Sequence, residues 1–205
     1  MPGTAHPGDG LTRDRAADGE GGAPDAAARI LDAAVEALVR SGAVALAMHD
    51  VASRAGVSKG LIHYHYRDKD ALLADAAARL SERISMRERR ALALSSPAAA
   101  VDDLRRWMET ELDGGEWRAL LSLVQWPAAI VMSAARDALD ERRTMAWHTM
   151  ARLFELLGLR ARIAPEQIAA LFVAVVSGLA AAPDGAGDRR VTGDAFVLAL
   201  LGLAD

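Results

Sequence analysis

The sequence has no cysteine in 205 residues, which excludes a disulfide framework, a thiolate nucleophile and a Cys-based zinc site, and fits a reducing compartment. It opens without a basic end leading into an apolar run, so no secretory leader is expected and the chain reads as cytoplasmic. One stretch invites a membrane reading, the 17 residues Gln167 to Pro183, which carry no charge. A spanning helix needs about 20 apolar residues, so this stretch reads as a buried helix at a core or subunit interface. Lysine is nearly missing: of 24 basic residues only Lys59 and Lys69 are lysines. Tyrosine occurs twice, as Tyr64 and Tyr66. There is no glycine-rich phosphate loop after a strand, no His-Glu metal spacing, no internal repeat and no period-2 alternation, so neither common catalytic machinery nor a sheet is expected.

The chain has 52% hydrophobic residues, enough for a sizeable core without covalent staples. Its net charge of −4 is unevenly placed: residues 1–24 carry −2, residues 25–95 carry +2 and residues 96–205 carry −4. The middle block alone is positive, as expected if contact with a polyanion is confined to it.

That block contains the stretch 47–66, AMHDVASRAGVSKGLIHYHY, which reads as a helix-turn-helix. Val51, Ala52 and Ala55 give its first helix a small apolar face. Gly56 relieves the backbone where the chain reverses, Val57 plugs the corner and Ser58 caps the second helix. On that helix Ile62 and Tyr66 share an inward face, while Lys59, Gly60, His63 and Tyr64 point away. A cation in a helix's first turn is disfavoured by the dipole, and a glycine inside a helix costs roughly 1 kcal/mol relative to alanine. Both choices make sense if a phosphate backbone approaches closely. His63 and His65 lie two apart on different faces and cannot chelate one ion.

The run from Asp25 to about Asp75, above all AGVSKGLIHYHYRDKDALL, resembles the DNA-binding domain of TetR-type transcriptional regulators. The resemblance implies that Ser58, Lys59, Gly60, His63, Tyr64, His65 and Lys69 contact phosphates and major-groove bases. The sequence departs from the family pattern twice. His63 stands where a tyrosine is usual, and Ala47 stands where a threonine or serine usually caps the motif's first helix, a difference worth about 1 kcal/mol.

Around the motif, residues 1–24 combine glycine, proline and charge and read as a disordered arm, with Arg13 and Arg15 its basic residues. A first helix is expected over 25–40, with Gly42 as its stop, then helices at 48–55 and 59–65. This makes a three-helix DNA-binding domain at 25–70. Asp68 should cap a long fourth helix, and the uncharged run ALALSSPAAAV from Ala91 should break the chain after it. The remainder, 71–205, reads as a helical effector-binding and dimerisation domain, with patterns at 97–113, 116–134, 137–157, 165–182 and 192–204 and a kink at Pro127. The fold class is therefore all-α.

All four tryptophans lie in the second domain. Together with the flexible thioethers and other rings they mark a pocket candidate: Trp107, Met108, Gln125, Trp126, Trp147, His148, Phe154 and Phe172. The same residues are also ordinary core material. Rings near carboxylates such as Glu109 and Glu155 suit a cationic ligand. The resemblance implies an effector site there, and a homodimer built from the last two helical patterns. The expected function is a sequence-specific repressor that binds a pseudopalindromic double-stranded DNA operator and is released by a small molecule, with no enzymatic activity, metal or cofactor. Two other readings stay open: a DNA-binding regulator without a ligand, and an all-helical carrier or enzyme in which the motif is a remnant.

Overall fold

A computed structural model of the chain describes residues 25–92, 96–182 and 189–205, so the expected N-terminal arm with Arg13 and Arg15 lies outside the described residues. The elements of the described residues are helices: α1 (Ala26–Ala45), α2 (Met48–Arg54), α3 (Lys59–His65), α4 (Lys69–Ala91), α5 (Pro97–Gly114), α6 (Glu116–Val124), α7 (Ala129–Leu157), α8 (Pro165–Ala181) and α9 (Arg189–Leu201). Among the described residues the only β pairing is an isolated antiparallel bridge between Ala161 and Ala204, where the segment after Gly158 meets the C-terminal residues.

α1 buries Ile30, Ala34, Val35 and Leu38, the apolar positions that recur at helical spacing. Its regular geometry stops where the sequence indicates, because Gly42 takes φ 77° and bends the chain out of the helix before one more turn. α4 starts at the Asp68 cap, whose Oδ1 accepts from the Ala71 N–H at 2.9 Å. It then runs 23 residues and joins the two halves of the molecule. One sequence expectation is corrected: the patterns at 116–134 and 137–157 do not form two helices divided near 135. α6 ends at Val124, and a single 29-residue α7 begins at Ala129. Pro127 has no N–H to donate and restricts the residue before it, so the chain breaks there and resumes as one helix.

The second domain packs α4 against α5, α6 and α7, with α8 and α9 outside. Its α4–α7 contact is ionic as well as apolar. The Arg142 guanidinium is buried on the Glu88 carboxylate at 3.4 Å and also donates to the Ser85 hydroxyl, while the Thr149 hydroxyl donates to the other Glu88 oxygen at 2.6 Å. Burial pushes the Glu88 carboxyl up from its ordinary range and the Arg142 guanidinium down, against their mutual attraction. Nearby, Arg87 forks onto Glu111 at 2.5 and 2.8 Å and also donates to Glu116. No helix among the described residues is long and apolar enough to cross a membrane.

Candidate nucleic-acid interface

The turn that sets α3 follows from local chemistry. Gly56 adopts φ 65°, a conformation that L side chains rarely take, and lets the chain reverse after α2. Val57 donates back to the Ala52 carbonyl at 3.0 Å, and the Ser58 hydroxyl accepts the Leu61 N–H at 3.1 Å, which starts α3. α2 begins at Ala47 without any side-chain cap, as its alanine requires. From behind, the Arg29 side chain donates to the Ala55 carbonyl at 3.2 Å and ties α1 to the turn.

Ile62 is fully buried and Tyr66 nearly so, seating α3 on α1 and α2. Burial, with Asp75 close by, pushes the Tyr66 phenol up from its ordinary value. The opposite face carries Ser58, Lys59, Gly60, His63 and Tyr64, all exposed. Tyr64 is 82% accessible, an unusual position for an aromatic ring with no partner of its own beyond an edge contact to His65 at 5.2 Å. His65 itself is half-buried. A β-carbon added at Gly60 would meet only the Ser58 Oγ, at 3.9 Å, so nothing inside the chain demands a glycine there.

Lys69 stands apart from this face. It begins α4, is half-buried, donates to the Val44 carbonyl at 3.2 Å and lies 5.2 Å from the centre of the Trp126 ring. Desolvation pushes the Lys69 ammonium below its ordinary pKa, partly offset by Asp70. Trp126 also donates its indole N–H to Asp70 Oδ1 at 2.8 Å. This junction of Val44, Lys69, Asp70 and Trp126, which pins the second domain to the start of α4, was not anticipated from sequence. Only Trp126 before Pro127, a helix end, hinted at it.

The eight pocket candidates do not converge. Trp107 and Met108 are buried on α5, where Trp107 stacks on Phe172 of α8 with centroids 5.8 Å apart. Trp126 belongs to the junction, and Gln125 beside it is exposed. Trp147 is half-buried in a cleft with Arg143, Thr144, Glu166 and Ala169. His148 is exposed and lies in a separate groove with Asp137, Asp140 and Glu141. Phe154 lines a third, mainly apolar cleft of about 250 Å³ with Met150, Leu159 and Ile168. The physical reason is rotation along the helix: residues close in sequence on α5, α6 and α7 face different neighbours.

Among the described residues, a three-helix head that seats one short helix and turns its polar face outward has the architecture of a helix-turn-helix DNA-binding unit. Residues 30–76 match the sequence model of the family described as bacterial regulatory proteins, tetR family. No curated protein matches the sequence. Among solved structures, the reduced form of NemR from E. coli superposes with a TM-score of 0.69 at 15% identity, over 88% of this chain and 98% of that one. A bacterial regulatory protein in the tetR family from Rhodococcus RHA1 gives 0.60 at 17% identity, over 88% and 97%. FadR from Bacillus subtilis, solved in complex with stearoyl-CoA, gives 0.64 at 14% identity, over 85% and 97%. These likenesses are of fold.

Proposed function

We propose that the protein is a homodimeric repressor whose two α3 helices enter successive major grooves of a pseudopalindromic operator, and that a small molecule bound in the second domain releases it. The observation that carries the DNA half is the division of α3: Ile62 is completely inaccessible, while Tyr64, two residues on, is almost fully accessible. Lys59 then meets phosphate, Gly60 allows the backbone to close on the duplex, and His63 and Tyr64 reach base edges or sugar-phosphate. A pair of such helices needs a second copy. Support for one comes from the exposed apolar residues Leu171 on α8 and Val191 and Leu198 on α9, the last 71% accessible. Exposed apolar residues that form one patch mark a surface for a partner.

Release requires a link between domains. The Trp126 junction supplies one, because any shift of the α6–α7 corner acts on Lys69 and Asp70 at the start of α4. A coupling of about 1–3 kcal/mol would lower operator occupancy several-fold to a hundredfold. The test is a fluorescence-anisotropy titration of operator and scrambled duplexes. Lys59→Ala should weaken both alike, and Tyr64→Ala should weaken the operator more than the scrambled duplex. Unchanged operator affinity in both variants refutes the assignment of α3. A second reading, a regulator without an effector, is favoured by the burial of Trp107, Met108, Phe154 and Phe172 in the packed core. Operator binding insensitive to every ligand that binds the protein would establish it.

A further inference from the structure

We infer that the groove between the C-terminal end of α4 and α5 is a binding site for an apolar organic anion, with a carboxylate or similar headgroup. For its regulatory meaning this rests on the ligand-responsive reading above; for binding it does not. The groove holds about 410 Å³, within the range of small-molecule sites, and is lined by Arg87, Arg90, Ala91, Asp103, Arg106, Trp107, Thr110 and Glu111.

Its charges are unequally satisfied. Glu111 is buried and engaged by the Arg87 fork, whose Nε and one Nη are taken up by Glu111 and Glu116. Asp103 is held by Arg106 at 3.0 Å. Arg90, at the rim, is exposed and makes no ion pair or hydrogen bond within the described residues. The charge left over is therefore positive, which opposes the cationic ligand that carboxylates beside tryptophans suggested from sequence. A guanidinium offers a planar set of donors that matches a carboxylate, and Arg90 and Arg106 border the same opening.

The apolar half of the ligand is set by Trp107. This residue is 3% accessible, yet its indole N–H is buried with no acceptor. A buried donor left unsatisfied is unfavourable, a cost that a ligand acceptor would remove. The ring also stacks on Phe172, which in turn contacts Phe196 of α9 at 5.9 Å. A molecule against Trp107 therefore touches α4 on one side and reaches the outer helices through two rings on the other.

Titration calorimetry of the full chain with 1-naphthoate and its uncharged isostere 1-naphthamide tests the site. Saturable binding of one naphthoate per protomer is expected, with the amide at least about tenfold weaker because the charge-assisted bonds are lost. Arg90→Gln, a surface change that leaves the core intact, should remove that preference, and Trp107→Phe should weaken both probes. No saturable binding, equal affinity for acid and amide, or a preference that survives Arg90→Gln overturns the site. Binding as expected with unchanged operator affinity leaves the site standing and refutes its regulatory role. Operator release by a compound that does not compete with naphthoate supports the ligand-responsive reading and refutes this groove as its regulatory site.

Discussion

The N-terminal head and the second domain place charge and apolar surface in opposite ways. In the head the seat of α3 is apolar, from Ile30 and Leu38 to Ile62, and its polar groups face outward beside the exposed Val44 and Tyr64. In the second domain charges are buried between helices, as Arg142 on Glu88 and Arg87 on Glu111, while Leu171, Val191 and Leu198 are left exposed. The head is finished inside and incomplete outside in a way that a polyanion completes. The second domain is left apolar outside, which a second copy covers in the proposed dimer. The two lysines show the same contrast at small scale. Lys59 is exposed at the start of α3, whereas Lys69, at the start of the next helix, is occupied by Val44 and Trp126.

The largest effect expected from breaking this pattern is at the buried pair. Arg142→Ala leaves Glu88 without its cation and should cost about 3–5 kcal/mol of stability, read by urea denaturation. Ile62→Ala, which empties the apolar seat, should cost about 2–5 kcal/mol by the same assay. If the arginine substitution proves harmless, the second domain is not held by its ions as described. Next come the lysines. Lys59→Ala should reduce the slope of log affinity against log salt by about one, the signature of one lost phosphate contact. Lys69→Met tests the proposed phosphate contact of that residue: an equal loss of slope assigns it to DNA, and an unchanged slope with a lower melting temperature makes it a brace only. Smaller again is Gly60→Ala, which meets nothing closer than 3.9 Å. It should stabilise α3 by up to about 1 kcal/mol while weakening operator binding, and a gain in both would show that DNA does not close on that position.

The smallest effect concerns the helix that joins the regions. Asp68 is held below its ordinary value of 3.8 by the Ala71 N–H and by Arg67. Its folded value is depressed, so its contribution is fully present above pH 3.8 and is lost as the pH falls through the folded value. Melting curves from pH 2 to 5 should show Asp68→Asn with a flatter acid limb than the wild type, and parallel limbs would contradict it.

Much of the head is legible in the sequence because its logic is local. Gly56, Ser58 and the spacing of Ile62 from Tyr66 act within ten residues, and each element they imply is present. The second domain is legible as helices but not as a site. Trp126 meets Asp70 across 56 residues and Arg142 meets Glu88 across 54, contacts that depend on how α4, α6 and α7 cross rather than on any periodicity. The tryptophans share a region of the sequence, and the fold sends them to a core stack, a junction and separate clefts. Arg90, whose importance comes from lacking a partner, carries no signal in sequence at all.

The central claim is that the exposed face of α3 reads duplex DNA as one of a pair. Selecting bound duplexes from a random pool with the full-length protein addresses it most directly. The account predicts an enriched motif of two inverted half-sites whose centres lie about one helical turn, roughly 10 base pairs, or a multiple of it apart. It also predicts that Tyr64→Ala loses the enrichment. Recovery of no motif, or of the same motif by the Tyr64 variant with undiminished affinity, would contradict it.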